Sequence, residues 1–312
     1  MGAIRRASLE VTVHVSDLGR WRAAQRPADP RLREYVHGYF VSEGFLPKPL
    51  LERHVPSLEV AIVLNFAAPH RIIDSADPKH TTEHRNAWVV ALQHRYQLRE
   101  AFGARDFMVL RFSPIGAQML LQTPMNLLSG RVLALEEIDR PFARLLMSHA
   151  EAARDWSARF EIVEKIIADR LESAANPPSA LFHSWRMLQE SPNHVDLARL
   201  PALFGCSRRH LIAQCHTYFG VAPKTIARIR RFNLAIEAVN RVGRRDPLTY
   251  PDGKPYLDFR AAGTVRATSK AAIGLADLAL ECGYYDQSHF INEFRSFSGL
   301  TPLEFLHRTR QE

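Results

Sequence analysis

Apolar and polar residues alternate with two different periods along the chain, and the change of period divides it into two parts. Residues 9–15 alternate with period two, which predicts a half-buried strand. Short apolar or β-branched runs separated by Pro, Gly, Asp and Asn predict further strands at 35–41, 57–66, 87–92 and 107–112. Several short strands with turns between them indicate a small antiparallel sandwich or barrel. A short helix is predicted next, over 115–121.

A helical period takes over from about residue 139. Apolar positions at helical spacing predict one helix around 142–149 and a second over 160–171. Asn176-Pro177-Pro178 ends the second helix, because the residue before a proline is pushed out of the α region. We therefore predict an α+β protein with a β-rich domain at 1–138, a helical linker at 139–178 and an all-α domain at 179–312. An interruption at 242–270 breaks the helical pattern of the last domain.

The charge of the chain is basic and concentrated in the helical part. The 312 residues include 41 Lys and Arg against 33 Asp and Glu, a formal net charge of +8. Residues 179–312 hold 18 of the basic and 12 of the acidic residues, and 199–245 holds 10 basic residues with one acid. This density indicates an electrostatic surface for nucleic acid. A solvated basic face is the alternative interpretation.

Cysteine usage and hydropathy argue against several classes of protein. Cys206, Cys215 and Cys282 form no C-x-x-C pair, which disfavours a disulfide scaffold or a zinc ribbon and suggests small core residues. Charged residues interrupt the N-terminal apolar stretch, so no secretory signal is expected. The longest uncharged run, 112–130, contains two prolines and is not a membrane span. We therefore expect a cytoplasmic protein with no membrane partner.

Two segments of the C-terminal part share one layout. Residues 196–220 and 275–299 each contain a short apolar helix, a glycine at a sharp turn and a polar-capped second helix. Gly205 and Gly283 occupy the turns, while Ser207 and Asp286 are residue types that favour the N-cap of the next helix. This is helix-turn-helix geometry, in which the second helix can enter a major groove of double-stranded DNA.

Polar residues on and near the second helices are the candidate DNA contacts. Arg and Gln pair bidentately with guanine and adenine edges, and a helix N-terminus attracts phosphate. An ordinary helical hairpin with a solvated face is the alternative. The candidate DNA-binding residues are Ser207, Arg208, Arg209, His210, Gln214, Arg231, Asp286, Gln287, Ser288, His289, Asn292 and Arg295.

The second segment resembles the signature of a known family. The run Gly283-Tyr-Tyr-Asp-Gln-Ser-His-Phe-Ile-Asn-Glu-Phe-Arg-Ser-Phe-Ser-Gly-Leu-Thr-Pro302 is similar to the one that types AraC/XylS transcriptional regulators. The first segment and the linking helix resemble the family at Ser207, Leu211, Gly220, Pro223, Arg231 and Ala235. The resemblance covers roughly residues 180–308. It implies a sequence-specific transcriptional regulator that places two recognition helices in neighbouring major-groove segments, with RNA polymerase as a further partner.

The chain departs from the family pattern at several places. Ala213 and Asn292 stand where the family has Arg or a similar base, and Cys215 stands where it has Phe. The insert at 242–270 contains a predicted hairpin over 248–259 around a Pro-Asp-Gly turn. We expect a surface loop there, with a wing that contacts phosphates as the alternative.

The N-terminal half carries a thinner resemblance. Residues 55–65 and 110–117 resemble the β-rich sensor half of one branch of these regulators. That resemblance implies a cupin-like barrel that senses a small-molecule effector or mediates homodimer formation. The helix at 160–171 is a candidate dimer face, with core packing as the alternative.

One motif favours a competing, enzymatic interpretation. His80-Thr-Thr-Glu-His84 matches the H-x-x-E-H zinc pattern, which requires both histidines on one face of a helix. The two threonines and the preceding Asp77-Pro78 instead predict a polar loop between strands. His54, His70 and His94 are a looser metal alternative. We predict no catalytic residue, metal or cofactor, with a metal-dependent enzyme or a ligand-binding cupin module with a helical tail as the alternative.

Overall fold

The computed structural model describes residues 9, 11–77, 79–190, 206–243 and 275–308. Strands dominate up to residue 134 and helices dominate after it, which confirms the predicted α+β class with a β-rich N-terminal part. No helix within these ranges is both long enough and apolar enough to cross a membrane. The predicted hairpin at 248–259 and the predicted first helix of the segment 196–220 lie outside the described residues.

The strands of the described part form one antiparallel sheet. Its central path runs in the order β1-β2-β3-β8-β4-β7-β9, and β5 pairs with both β8 and β6. The strands are β1 (Val11–Ser16), β2 (Gly19–Arg26), β3 (Val36–His54), β4 (Val60–Asn65), β5 (His70–Asp74), β6 (Thr81–His84), β7 (Ala87–Val90), β8 (Gln97–Phe112) and β9 (Val132–Ala134).

Two long strands, β3 and β8, connect the two halves of this sheet. Their register is irregular between Leu46 and Leu50, which marks a bend. On one side of the bend, residues 97–100 of β8 pair with β5. On the other side, residues 107–112 of the same strand pair with β4. Side chains from both halves line one cavity.

The helices begin at well-defined caps where the chain leaves the sheet. Ser113 caps the first helix by accepting a hydrogen bond from the Gly116 amide, and Asp139 and Asp155 cap later helices in the same way. The helices are α1 (Pro114–Leu121), α2 (Leu135–Ile138), α3 (Arg140–Glu151), α4 (Trp156–Ser173), α5 (Ser179–Glu190), α6 (Arg208–Phe219), α7 (Pro223–Gly243), α8 (Leu275–Glu281), α9 (Gln287–Ser298) and α10 (Pro302–Arg308).

The main core joins one face of the sheet to the helices. Leu110 and Phe112 of β8 are buried in the same apolar cluster as Phe160 and Val163 of α4. The apolar positions of the helix at 160–171, a candidate dimer face, therefore lie in the core, which confirms the alternative prediction of core packing. The opposite face of the sheet carries a separate, smaller cluster around Trp88.

The prediction of a polar loop at 80–84 is wrong. The predicted polar loop is strand β6 in a hairpin with β5, where His84 lies opposite His70. The β-branched threonines that argue against a helix also favour a strand, and β5 provides the partner that the isolated pattern did not reveal. A strand does not place His80 and His84 on one helical face, so the zinc motif lacks the geometry that it needs.

Candidate nucleic-acid interface

The segment 275–299 folds as a helix-turn-helix. Helix α8 ends at a turn in which Gly283 adopts φ +78°, a conformation that favours glycine. The carboxylate of Asp286 then caps α9 by accepting a hydrogen bond from the His289 amide at 2.7 Å. The turn glycine and the cap both stand where the sequence placed them.

Helix α9 divides into a buried and an exposed side. Phe290, Phe294 and Phe297 are buried, and the last two pack against Phe232 of α7 with ring centroids 5.2 and 5.0 Å apart. Five predicted contact residues lie on the exposed side, and these are Gln287, Ser288, His289, Asn292 and Arg295. The N-terminal turn of this helix is therefore open to a ligand in the described structure.

Helix α6 repeats this arrangement in the first segment. The Ser207 hydroxyl caps it by accepting a hydrogen bond from the His210 amide at 3.2 Å. Leu211, Cys215 and Phe219 form its buried side, as the apolar spacing predicted for the first two. Of the predicted contact residues here, Gln214 is half-buried, and the exposed ones are Ser207, Arg208, Arg209 and His210.

The linking helix α7 uses its arginines internally. Arg231 is half-buried, lies 3.8 Å from the Glu293 carboxylate and stacks over the Tyr284 ring. Arg228 donates to the same carboxylate from Nε at 3.1 Å. Arg230 donates to the Gln189 carbonyl oxygen, and its burial lowers the pKa of the guanidinium. The structure thus places Arg231 in an ion pair between α7 and α9, against the Tyr284 ring of the turn that precedes α9.

Both segments also contact the sheet and its neighbouring helices. Arg53 at the end of β3 donates from Nη1 to the Ser298 carbonyl oxygen at 2.9 Å, and its guanidinium stacks over Tyr96. Asn233 of α7 donates to the Pro56 carbonyl oxygen at 2.8 Å. These contacts fix α7 and α9 against the strand ends. Sequence reasoning did not find them, because nothing local to Arg53 or Asn233 identifies a distant partner.

A cavity of about 100 Å³ lies on the face of the sheet opposite the helices. Its walls come from β4, β5, β7, β8 and the C-terminal end of β3, and include Trp88, Arg99 and Arg111. His54 lines it next to the strand end that carries Arg53. The cavity therefore adjoins the contact between the sheet and α9.

Buried ion pairs surround this cavity. Arg99 donates from Nε to Glu52 at 2.8 Å, and Arg105 lies 3.9 Å from the same carboxylate. Burial opposes ionisation of Glu52, but the two guanidinium groups hold the pKa of the carboxyl well below its ordinary value. The sequence did contain a signal: Arg99, Arg105 and Arg111 are spaced by six, an even number, which places them on one face of a strand.

His54, His70 and His94, the looser set of candidate metal ligands, do not share one site in the described structure. His70 packs against Trp88 and Phe107, and its burial lowers its pKa to about 3. His94 lies beside Ser129, with the nearest atoms 3.3 Å apart. Among the residues that the structure describes, no three His, Cys, Asp or Glu side chains gather as a metal site would require.

Comparison with known families gives two matches. Residues 273–307 match the model described as "Bacterial regulatory helix-turn-helix proteins, AraC family". Residues 24–134 match a "Domain of unknown function (DUF6597)". No curated protein matches the chain.

Solved structures with a similar arrangement include two bacterial proteins. The crystal structure of ToxT from Vibrio cholerae O395 is 12% identical, covers 96% of this chain and 97% of its own, and has a TM-score of 0.42. A DNA-binding transcriptional dual regulator from Escherichia coli K-12 is 18% identical, covers 45% of this chain and 100% of its own, and has a TM-score of 0.29.

Proposed function

We propose that the chain is a DNA-binding transcriptional regulator of the AraC family, in which α6 and α9 enter consecutive major-groove segments of one duplex. The exposed residues of each N-terminal turn contact bases, and the helix N-termini contact phosphates. The sites are those named from the sequence, with the role of Arg231 reduced by its pairing with Glu293.

One observation carries this proposal. Both helices bury an apolar side and leave a capped N-terminal turn exposed, and both exposed turns contain donors suited to base edges. Arg209 on α6 and Gln287 on α9 are the residues best suited to bidentate contacts, since a guanidinium matches guanine and an amide matches adenine. Two such turns double the length of sequence that one chain recognises.

The division of labour along the chain is part of the proposal. Residues 179–312 bind DNA, residues 139–178 connect, and residues 1–138 sense a small-molecule effector in the cavity beside Trp88. A second copy of the chain and RNA polymerase are further partners, and the cytoplasm is the compartment. The proposal assigns no catalytic step and no cofactor to this chain.

The test is a binding selection of the purified full chain on random duplex DNA. We expect an enriched site with two short elements about one helical turn apart, and an affinity that falls steeply with salt concentration. Arg209→Ala should relax the preference within one element and Gln287→Ala within the other, each by about 1–3 kcal/mol.

Arg144→Ala is the matched control, because Arg144 is an exposed arginine on α3, far along the chain from both helices. It should leave the enriched site unchanged. A selection that enriches no sequence, or one that Arg209→Ala and Gln287→Ala leave intact, would contradict the proposal.

A further inference from the structure

We propose that the cavity beside Trp88 binds a small aromatic monocarboxylate, held by Arg111. The inference rests on the proposed effector-sensing role of the N-terminal half and names the chemical class of that effector. It follows from the size of the cavity, the apolar part of its walls, its charge and the guanidinium of a lining arginine.

The size and walls of the cavity select a small ligand with an apolar body. Its volume of about 100 Å³ is of the order of the ~150 Å³ cavity that takes up benzene. Trp88, Ile72, Val63 and Val109 supply apolar surface. The lining also contains polar residues, which include Ser57, Gln93 and Gln97, so the apolar side chains are the part of the wall that favours an apolar body.

The charged groups around the cavity carry an excess of one positive charge. Arg99 and Arg105 flank the Glu52 carboxylate, as described above. Arg111 lies near Glu59, and the His37 hydrogen bond and the Arg111 charge hold the pKa of Glu59 below its ordinary value, although burial opposes this. Three guanidinium groups thus face two ionised carboxylates.

Two neighbouring histidines, His54 and His70, do not change this balance at neutral pH. Burial lowers the pKa of His54, and it lowers the pKa of His70 to about 3, so both rings are uncharged near pH 7. A single negative charge on a ligand therefore completes the charge balance of the cavity. A phosphate dianion would exceed it and would leave the apolar wall without a partner.

Arg111 provides the donor for that charge. It lines the cavity, whereas its Nε is enclosed by protein and has no hydrogen-bond partner in the part of the chain that the structure describes, so a ligand would meet the terminal nitrogens of the guanidinium. A carboxylate is the acceptor that a guanidinium binds most strongly. Arg99, by contrast, is already engaged by Glu52.

Calorimetric titration of the purified full chain tests this inference. The probes are benzoate, phenylacetate and cinnamate, each compared with its uncharged amide, and inorganic phosphate. We expect at least one carboxylate to bind with a Kd of about 1 mM or tighter, and its amide to bind at least about tenfold more weakly. Phosphate should not compete.

Substitution at Arg111 locates the binding. Arg111→Gln should weaken the carboxylate about tenfold or more, and Arg111→Lys, which keeps the charge but not the planar fork, should weaken it less. Arg20→Gln, at an exposed arginine on β2, is the matched control and should leave binding unchanged. Circular dichroism and DNA affinity of each variant report whether it folds.

Three results would overturn the inference: no carboxylate binds, an amide binds as tightly as its acid, or folded Arg111→Gln and Arg111→Lys both bind like the unaltered chain. Competition by phosphate would overturn it as well and indicate an inorganic anion. The DNA selection described above, run on the same preparation, separates this failure from failure of the regulator proposal. Intact sequence-specific DNA binding without carboxylate binding removes only the effector class.

Discussion

Arg53 donates a hydrogen bond to the main-chain oxygen of Ser298 at 2.9 Å, which joins the end of β3 to the end of α9. The next residue, His54, lines the cavity. Successive side chains of a strand point to opposite faces, so one strand separates the cavity from the second helix-turn-helix. The same holds where β8 begins: Gln97, its first residue, lies opposite His54 and lines the cavity, while Tyr96, just before the strand, stacks on Arg53.

Removal of the Arg53 guanidinium should loosen α9 at its C-terminal end. We expect Arg53→Met to speed hydrogen exchange of the amides around Ser298 and into α10, equivalent to about 1–2 kcal/mol less opening free energy. The lost hydrogen bond is charge-assisted and partly shielded from water.

The control for this prediction is Arg22→Met. Arg22 is an exposed arginine of the same sheet that pairs with Glu43. It should leave exchange at α9 and α10 unchanged, because exposed ion pairs contribute little. Equal hydrogen-exchange rates of the α9 amides in Arg53→Met and the unaltered chain would show that the Arg53–Ser298 hydrogen bond does not stabilise α9.

Gly299 should tolerate no side chain at its position against the sheet. Its φ is +73°, and a Cβ there would overlap the Tyr96 ring. We expect Gly299→Ala to lower the free energy of unfolding by about 2 kcal/mol or more, from backbone strain plus the overlap. In a Tyr96→Ala background the overlap with the ring disappears and only Arg53 Nη1, at 2.9 Å, stays close to the new Cβ, so the cost should fall towards about 1 kcal/mol.

Gly103→Ala is the matched control for that cycle. Gly103 has φ +83°, but a Cβ there would meet only the Ala68 methyl at 3.8 Å, an ordinary contact. The loss of unfolding free energy in Gly103→Ala therefore measures the backbone strain alone, which we expect to be about 1 kcal/mol by urea unfolding. If Gly299→Ala costs no more than Gly103→Ala, the docked arrangement of α9 on Tyr96 is wrong.

Sequence patterns predicted the local features of this chain well. The caps Ser207 and Asp286, the turn glycine Gly283 and the buried phenylalanines of α9 depend on neighbours a few residues away, and the structure confirms each. These features obey local rules of helix geometry.

Features that depend on distant partners were not predicted. Strand β6 forms because β5 lies beside it, and the sequence of 80–84 alone indicates only a polar segment. Arg231 was named as a DNA contact from its place in the linking helix, and its pairing with Glu293, 62 positions further along the chain, was not predicted. The cavity required residues from five strands, and periodicity within one strand cannot show which others meet it.

The Asp286 carboxylate has a capping role that can be separated from any contact with DNA. Asp286→Ala should cost about 1 kcal/mol of stability, whereas Asp286→Asn should cost little, since asparagine caps helices as well as aspartate does. Thermal unfolding measures both. The base preference of the stable Asp286→Asn variant then isolates the DNA contact: a changed preference would keep Asp286 among the contact residues, and an unchanged one would remove it.

Arg231 and Glu293 should prove to be energetically coupled. We expect Arg231→Gln and Glu293→Gln to lower the free energy of unfolding, and the double variant to lower it by less than the sum, with a coupling of about 0.5–3 kcal/mol. Urea unfolding of the four proteins measures this. The slope of DNA affinity against salt should be the same for Arg231→Gln and the unaltered chain, because a lost phosphate contact would reduce it by about one.

Arg209→Gln is the comparison for the salt dependence, because Arg209 is exposed at the N-terminal turn of α6. It should reduce the slope if its guanidinium lies against the DNA. Additive stability effects together with a reduced slope in Arg231→Gln would return Arg231 to the DNA interface.

His70 should make the fold sensitive to acid. Its pKa in the folded chain is about 3 because it is buried beside Trp88 and near the charge of Arg99, whereas the ordinary value is 6.5. Between these values the unfolded chain binds a proton at this residue and the folded chain does not. Stability therefore falls as pH falls from about 6.5 towards 3, by about 1.4 kcal/mol per pH unit for this one group.

His70→Phe removes that proton while it keeps a ring between Trp88 and Phe107. Urea unfolding between pH 7 and pH 4 should show a slope shallower by about one proton than that of the unaltered chain. His80→Gln, at an exposed histidine, should leave the slope unchanged. Parallel pH profiles for His70→Phe and the unaltered chain would mean that His70 has the same pKa in the folded and unfolded chains, and the folded chain would then gain a positive charge near the cavity below about pH 6.5.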